Sequence, residues 1–315
     1  MYTHDNYRKV KQIIESRRLA AVAESEQRNL ELAIKSSEIR EIDAELRGVG
    51  LLLFKTACAG EDISPIRERN LFLTEKRRKA LKALGLPEDY TEVHYTCEKC
   101  SDSGFVDTKM CSCFREMLIT ENIKSSGMGK LIEKQSFDNF DLNKYKDDKE
   151  NYERMKNNLA EAKSFAEGFG KSPATILFIG KTGTGKTHLS TAIAKAVIEK
   201  GYEVLYDSAQ NIVSAFENDK FKSGYGPYEP QSDKYLDCDL LILDDLGTEF
   251  VNQFTVSCLY NLINTRQNKG LSTLISTNLS PKELTTKYED RIYSRIMGQD
   301  SKILLFAGKD RRITG

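Results

Sequence analysis

Neither sign of charge is in excess in this chain: 47 lysines and arginines stand against 47 aspartates and glutamates, for a formal net charge of zero. That balance excludes a global field able to gather nucleic acid or an anionic membrane, so any such contact has to be local and switchable. No apolar stretch approaches the roughly 20 residues that a membrane span needs, and no membrane partner is expected. The first residues, Met1-Tyr-Thr-His-Asp-Asn-Tyr-Arg8, lack the apolar core of a secretory signal. A cytoplasmic, reducing setting is therefore expected, where the seven cysteines favour metal ligation over disulfides. Low-complexity tracts and internal repeats are also missing. What is present is a chain of 315 residues, long enough for about two domains with their own cores.

Three compositional blocks divide it: a helical N-terminal region over 1–88, a cysteine-bearing module and linker over 89–135, and an α/β domain over 136–315. Residues 8–84 are rich in Glu, Lys, Arg, Ala and Leu, which predicts long helices. Ile39, Ile42, Leu46, Val49 and Leu53 follow a 3-4-3-4 spacing, a short coiled-coil-like seam. Lys35 interrupts it upstream, and Gly48 and Gly50 each weaken a helix by about 1 kcal/mol. A helical hairpin or bundle bending near Gly48 is expected. Ser64-Pro65 reads as an N-cap with proline at the first helical position, and Gly85 and Pro87 stop that helix after Leu84. Arg67, Arg69, Lys76, Arg77, Arg78, Lys79 and Lys82 make it basic. A solvated face is the plain reading; contact with nucleic acid or an acidic partner is the alternative.

From 136 onward short apolar strands alternate with helices. Strands are predicted at 175–179, 203–207, 240–243, 272–276 and 302–306, and helices at 149–169, 188–200, 251–268, 281–288 and 289–297. Such alternation predicts a mostly parallel sheet covered on both faces. Residues 139–149 read as a polar connecting loop.

Cys97-x2-Cys100 and Cys111-x-Cys113 flank a turn rich in Asp, Ser and Gly, an arrangement that can set four thiolates tetrahedrally around Zn²⁺. Four thiolates close the coordination shell, so the centre is expected to be structural and to supply the folding energy of its module. His94 is an alternative ligand. Cys58, Cys238 and Cys258 read as small buried hydrophobes.

Gly180-Lys181-Thr182-Gly183-Thr184-Gly185-Lys186-Thr187 fits the phosphate-binding loop G-x-x-x-x-G-K-[ST], between a predicted strand and a helix beginning at His188. Its backbone N–H groups and the helix N-terminus suit phosphate, Lys186 the β- and γ-phosphates of ATP, and the Thr187 hydroxyl Mg²⁺. Leu240-Leu-Ile-Leu-Asp244-Asp245 is an apolar strand ending in two carboxylates, the Walker B pattern. Asp244 is expected to hold Mg²⁺ through water and Asp245 to orient the attacking water. Because Asp245 is one methylene shorter than glutamate, slow hydrolysis is expected, not above about 10 s⁻¹. Asn278 ends another strand, where it can reach the γ-phosphate or that water. Arg291 and Arg295 share one helix face, and Arg295 is read as a finger reaching a neighbouring subunit's site. Asp310-Arg311-Arg312 offers a further nucleotide-sensing arginine. Lys220, Lys222 and Arg266 are basic candidates for DNA contact with nothing to rank them.

Together, Gly180–His188, Leu240–Gly247, Ile275–Leu279 and the Glu-Asp-Arg-Ile-Tyr-Ser-Arg-Ile segment at 289–296 resemble the bacterial replicative helicase loaders of the DnaC/DnaI type, within the AAA+ ATPases. The IstB-type transposition helper ATPases are similar in the same motifs. Cys97-Glu-Lys-Cys-Ser-Asp-Ser-Gly-Phe105, followed by Cys-Ser-Cys113, resembles the zinc module of DnaI-like loaders. The resemblance implies an AAA+ P-loop fold with a parallel sheet, preceded by a helical region and a small zinc module. It implies binding to a hexameric replicative helicase through the N-terminal region, placement of that helicase on single-stranded DNA, and self-association through the ATPase domain. An IstB-like role would instead bind duplex DNA and a transposase.

Overall fold

The computed structural model describes residues 4–222, 230–298 and 301–311. Contacts divide the chain into two compact units: Lys11–Phe114, and Met1–Val10 together with Arg115–Gly315.

The first unit holds most of α1 (His4–Lys35), α2 (Ser37–Ala59) and α3 (Ser64–Ala83). The break after α1 comes from Ser36, whose extended backbone and side chain, accepting the Ile39 N–H, cap α2. The α2 helix runs through Gly48 and Gly50 and ends at Gly60, in the left-handed region at φ 72°. The chain therefore turns at Ser36 and Gly60, not at Gly48. Burial of Ile39 and Ile42, with Leu46, Val49 and Leu53 half-buried, offsets the glycines' cost. The expected hairpin is α2 with α3, tied by Arg77–Asp43 at 2.6 Å and by Arg69–Glu45. The basic charge of α3 is thus partly neutralised within the hairpin. Ser64 is the first helical residue and not the cap; Asp62 accepts its N–H and its hydroxyl. Two short antiparallel strands, β1 (Phe105–Val106) and β2 (Lys109–Met110), complete this unit. Cys58 is exposed, contrary to the expectation of burial, because it lies past the seam near the helix end.

The second unit contains the rest of α4 (Ser112–Ser125), α5 (Leu131–Lys134), a 3₁₀ turn (Leu142–Tyr145) and α6 (Lys149–Gly168). There follow β3 (Thr175–Gly180), α7 (Lys186–Glu199), β4 (Val204–Ser208), α8 (Ala209–Lys222), α9 (Asp233–Asp237) and β5 (Leu240–Leu246). The unit ends with α10 (Gln253–Asn268), β6 (Ser272–Thr277), α11 (Pro281–Ile296) and β7 (Ser301–Phe306). Five strands form one parallel sheet in the order β4-β5-β6-β3-β7. Alternate residues feed two cores: Ile176, Phe178 and Ile242 on one face, Leu177, Leu241 and Leu243 on the other. This double burial explains why the strands read as unbroken apolar runs.

The two helices expected at 281–288 and 289–297 are a single α11, opened by a capping box of Ser280 and Glu283. Arg266 is fully buried, donating to Thr273 Oγ1 (3.0 Å) and to the carbonyls of Tyr235 (2.8 Å), Cys238 (2.9 Å) and Ser272 (2.6 Å). It bolts α10 to the start of the sheet and is removed from the candidates for DNA contact.

Candidate nucleotide cleft and metal centre

Gly180 ends β3, and the loop after it turns into α7 through Gly185 at φ 103°. A side chain at Gly185 would lie 2.5 Å from the Tyr145 hydroxyl, so conformation and space both require glycine. No side chain caps α7 at Gly185, which leaves its first N–H groups for a ligand. Thr184 is buried, its hydroxyl donating to the Lys181 carbonyl (2.7 Å) and its own carbonyl accepting from Tyr145 (3.1 Å). Lys186, 6% exposed, places its ammonium on the carbonyls of Gly180 and Lys181 and on Asn278 Oδ1 at 2.7 Å. Residues 92 apart in sequence therefore meet at one charge.

The end of β5 supplies both carboxylates, and a β-bulge separates their directions. Pairing with β6 runs to Leu243–Ile275 and resumes at Leu246–Thr277, so on the β6 side Asp244 and Asp245 together lie opposite the single residue Ser276. Asp245 takes φ 54°, a region aspartate tolerates better than most residues, and its N–H donates to Ser276 Oγ (3.2 Å). It lines the cleft with Thr182, Gly183, Lys186, Thr187 and Asn278. Asp244, 7% exposed, turns inward and accepts the hydroxyls of Tyr206 and Ser276. Burial and the Asp244 charge push the Tyr206 pKa up.

The opposite wall comes from the stretch 139–149, expected to be a polar connecting loop, which instead buries Phe140 and Tyr145 and forms the 3₁₀ turn Leu142–Tyr145. Phe140 and Tyr145 stack at 5.8 Å, and Phe140 meets the His188 ring edge-on at 5.1 Å. His188 Nε2 contacts Ser136 O (3.0 Å) and Asn139 Oδ1 (2.9 Å); both are acceptors, so Nε2 carries the proton. Burial lowers the pKa of His188. Arg311 also lines the cleft, paired with Asp147 at 2.8 and 2.9 Å, over the Tyr145 ring, with its N–H on Gly183 O (2.9 Å). Aromatic residues inside a polar stretch were the signal for this wall. Arg312 lies outside the described residues.

Arg291 and Arg295 are exposed and lie away from this cleft. Arg295 borders a hollow with Pro173, Thr175 and Ser301, at the start of β3. The P-loop is at the other end of that six-residue strand, about 17 Å away at about 3.3 Å per residue.

In the first unit the sulfurs of Cys97, Cys100, Cys111 and Cys113 lie within 4.8 Å of one another. Cys97–Cys111 and Cys100–Cys113 are 3.8 and 3.6 Å apart. Disulfide sulfurs sit about 2.05 Å apart. Thiolates around zinc, at about 2.3 Å each, lie about 3.8 Å from one another. The donor set fits Zn²⁺. The Cys113 N–H draws the Cys111 thiol down to about 7, while burial pushes the Cys113 thiol up. Buried Asp102 braces the first knuckle, accepting the N–H of Thr96 (2.8 Å) and Cys97 (3.1 Å) and pairing with Arg17. His94 faces Asp89 at 3.8 Å and is not part of the cluster.

The family model for IstB-like ATP binding proteins matches residues 115–298. The replicative helicase loader DnaC of Escherichia coli K12 is 26% identical over 192 residues, covering 61% of this chain and 75% of that protein. The replicative helicase loader DnaC of Buchnera aphidicola subsp. Baizongia pistaciae is 25% identical over 181 residues, 58% of this chain and 70% of the relative. A crystal structure of the DnaC helicase loader aligns at a TM-score of 0.44 with 24% identity, over 49% of this chain and 90% of that one.

Proposed function

Because the chain belongs to the family of IstB-like ATP binding proteins, we propose that it is an ATP-dependent loader of a replicative DNA helicase, acting in the cytoplasm on single-stranded DNA. The observation that carries the nucleotide half of this reading is the meeting of Lys186, Asn278 and Asp245 at a P-loop cleft. The loop and α7 N–H groups receive the phosphates, and Lys186 exchanges its backbone acceptors for the β- and γ-phosphate oxygens. Thr187 and Asp244 would hold Mg²⁺, which would supply charge neutralisation to the phosphates. Asp245 orients the attacking water, Asn278 reports on the γ-phosphate, and cleavage of the terminal phosphoanhydride leaves ADP and phosphate. Arg295 serves the cleft of a neighbouring copy, since its own lies at the other end of β3. The sulfur cluster holds a structural zinc, and residues 1–88 grip the helicase.

Relatives named as helicase loaders support this reading over the transposition helper. The test is capture of the cell's hexameric replicative helicase by the full chain with and without ATP, followed by helicase loading onto single-stranded circles. Loading that depends on the chain and is lost with Lys186→Ala is expected. Capture of a transposase instead, with binding to duplex DNA, would transfer the assignment to the transposition helper.

A further inference from the structure

Tyr206 joins two things that the motifs leave unconnected: the turn after α4 and the metal-side carboxylate. It sits on β4, the edge strand, so no further strand among the described residues occupies its outer side. Its N–H is taken there by Ser126 O at 2.7 Å. Next to it Gly127 adopts φ 80°, and a Cβ there would come within 2.4 Å of the Tyr206 carbonyl. The turn therefore accepts the Tyr206 N–H and passes close against its carbonyl. The turn is itself fixed: Ser126 Oγ donates to Ile123 O (2.8 Å), and Asn6 Nδ2 donates to Asn122 Oδ1 (2.7 Å) and Ser125 Oγ (2.8 Å). At its other end the Tyr206 hydroxyl donates to Asp244 Oδ2, while Ser276 holds Oδ1.

We propose that Tyr206 is a positioning residue that holds Asp244 back from a metal-bound water, and that the turn at 126–127 sets this restraint on Mg²⁺-ATP binding. The inference rests on the ATP-binding reading above. A carboxylate oxygen engaged by a hydroxyl proton presents less negative charge to a metal-bound water, which has to displace that hydroxyl first. Loss of the Tyr206 hydroxyl frees Oδ2, and Ser276 still keeps the side chain in place. A residue that only supported the fold would act the other way, lowering affinity when trimmed.

The experiment is an equilibrium titration of a fluorescent ATP analogue against the full-length chain over a range of MgCl2, with a parallel titration in EDTA. For Tyr206→Phe the Mg²⁺ needed for half-maximal binding is expected to fall about tenfold, the equivalent of about 1.4 kcal/mol, with EDTA affinity held within about twofold. Gly127→Ala should shift the requirement in the same direction by displacing the Tyr206 peptide. An unchanged or raised Mg²⁺ requirement in Tyr206→Phe, with EDTA affinity intact, overturns the inference alone. Absence of Mg²⁺-dependent binding in the unaltered chain overturns the ATP reading, and this inference with it. If Gly127→Ala does not fold, Tyr206→Phe still decides, because it keeps the ring that packs on the core.

Discussion

Lys186 is buried on two carbonyls and one amide oxygen, so its removal does more than delete a charge. Lys186→Ala leaves those acceptors without their donor and takes away the phosphate's counter-charge. Calorimetric ATP affinity should fall at least about tenfold. Asp245 calls for a different substitution. Its φ of 54° is tolerated by asparagine but strained for alanine, so Asp245→Asn removes the carboxylate while keeping the bulge. Single-turnover hydrolysis should drop by about a hundredfold or more with ATP affinity unchanged. Equal loss of both would show that Asp245 contributes to binding and not to the water step. The spacing of the two carboxylates was legible in the sequence; their opposite directions were not, because the bulge arises where pairing with β6 breaks opposite Ser276.

At the scale of elements, the four-cysteine knuckle is too small to bury a core, so its order depends on the metal. Purified protein should carry about one zinc per chain, consistent with a closed four-thiolate site. Cys97→Ser or prolonged chelation should release it and loosen residues 97–113 in hydrogen exchange, while ATP affinity, housed in the other unit, holds. Zinc-free protein with the same exchange protection would refute the site. The cysteine spacing alone pointed to this centre. The helices were less legible: Gly48 and Gly50 suggested a bend, yet α2 passes through both because α3 covers its seam. Helix propensity is a weak prior against tertiary packing. Ser36 and Gly60 turn the chain because their caps satisfy backbone groups that packing alone would leave bare.

At the scale of the whole molecule, Arg295 and the P-loop occupy opposite ends of β3, so Arg295 in the proposed role of finger would serve a second copy. Hydrolysis per chain should then rise with protein concentration and stay slow, not above about 10 s⁻¹ at saturation. Arg295→Ala should leave ATP affinity intact and reduce the assembly-dependent rate by about a thousandfold. Concentration-independent turnover that survives the substitution would rule out the finger. No helix among the described residues is long and apolar enough to cross a membrane, as the lack of long apolar runs implied.

The sequence by itself determined the parallel α/β sheet, the P-loop, the two carboxylates and the sulfur cluster, because each is written in spacing local to one or two elements. Tertiary structure decided what lies between distant segments. It brought Asn278 onto Lys186, turned Asp244 inward under Tyr206 and Ser276, buried Arg266, and folded Phe140, Tyr145 and Arg311 over the cleft. The contacts made across the sheet follow from strand order and register, which set the neighbours there and which no local pattern records.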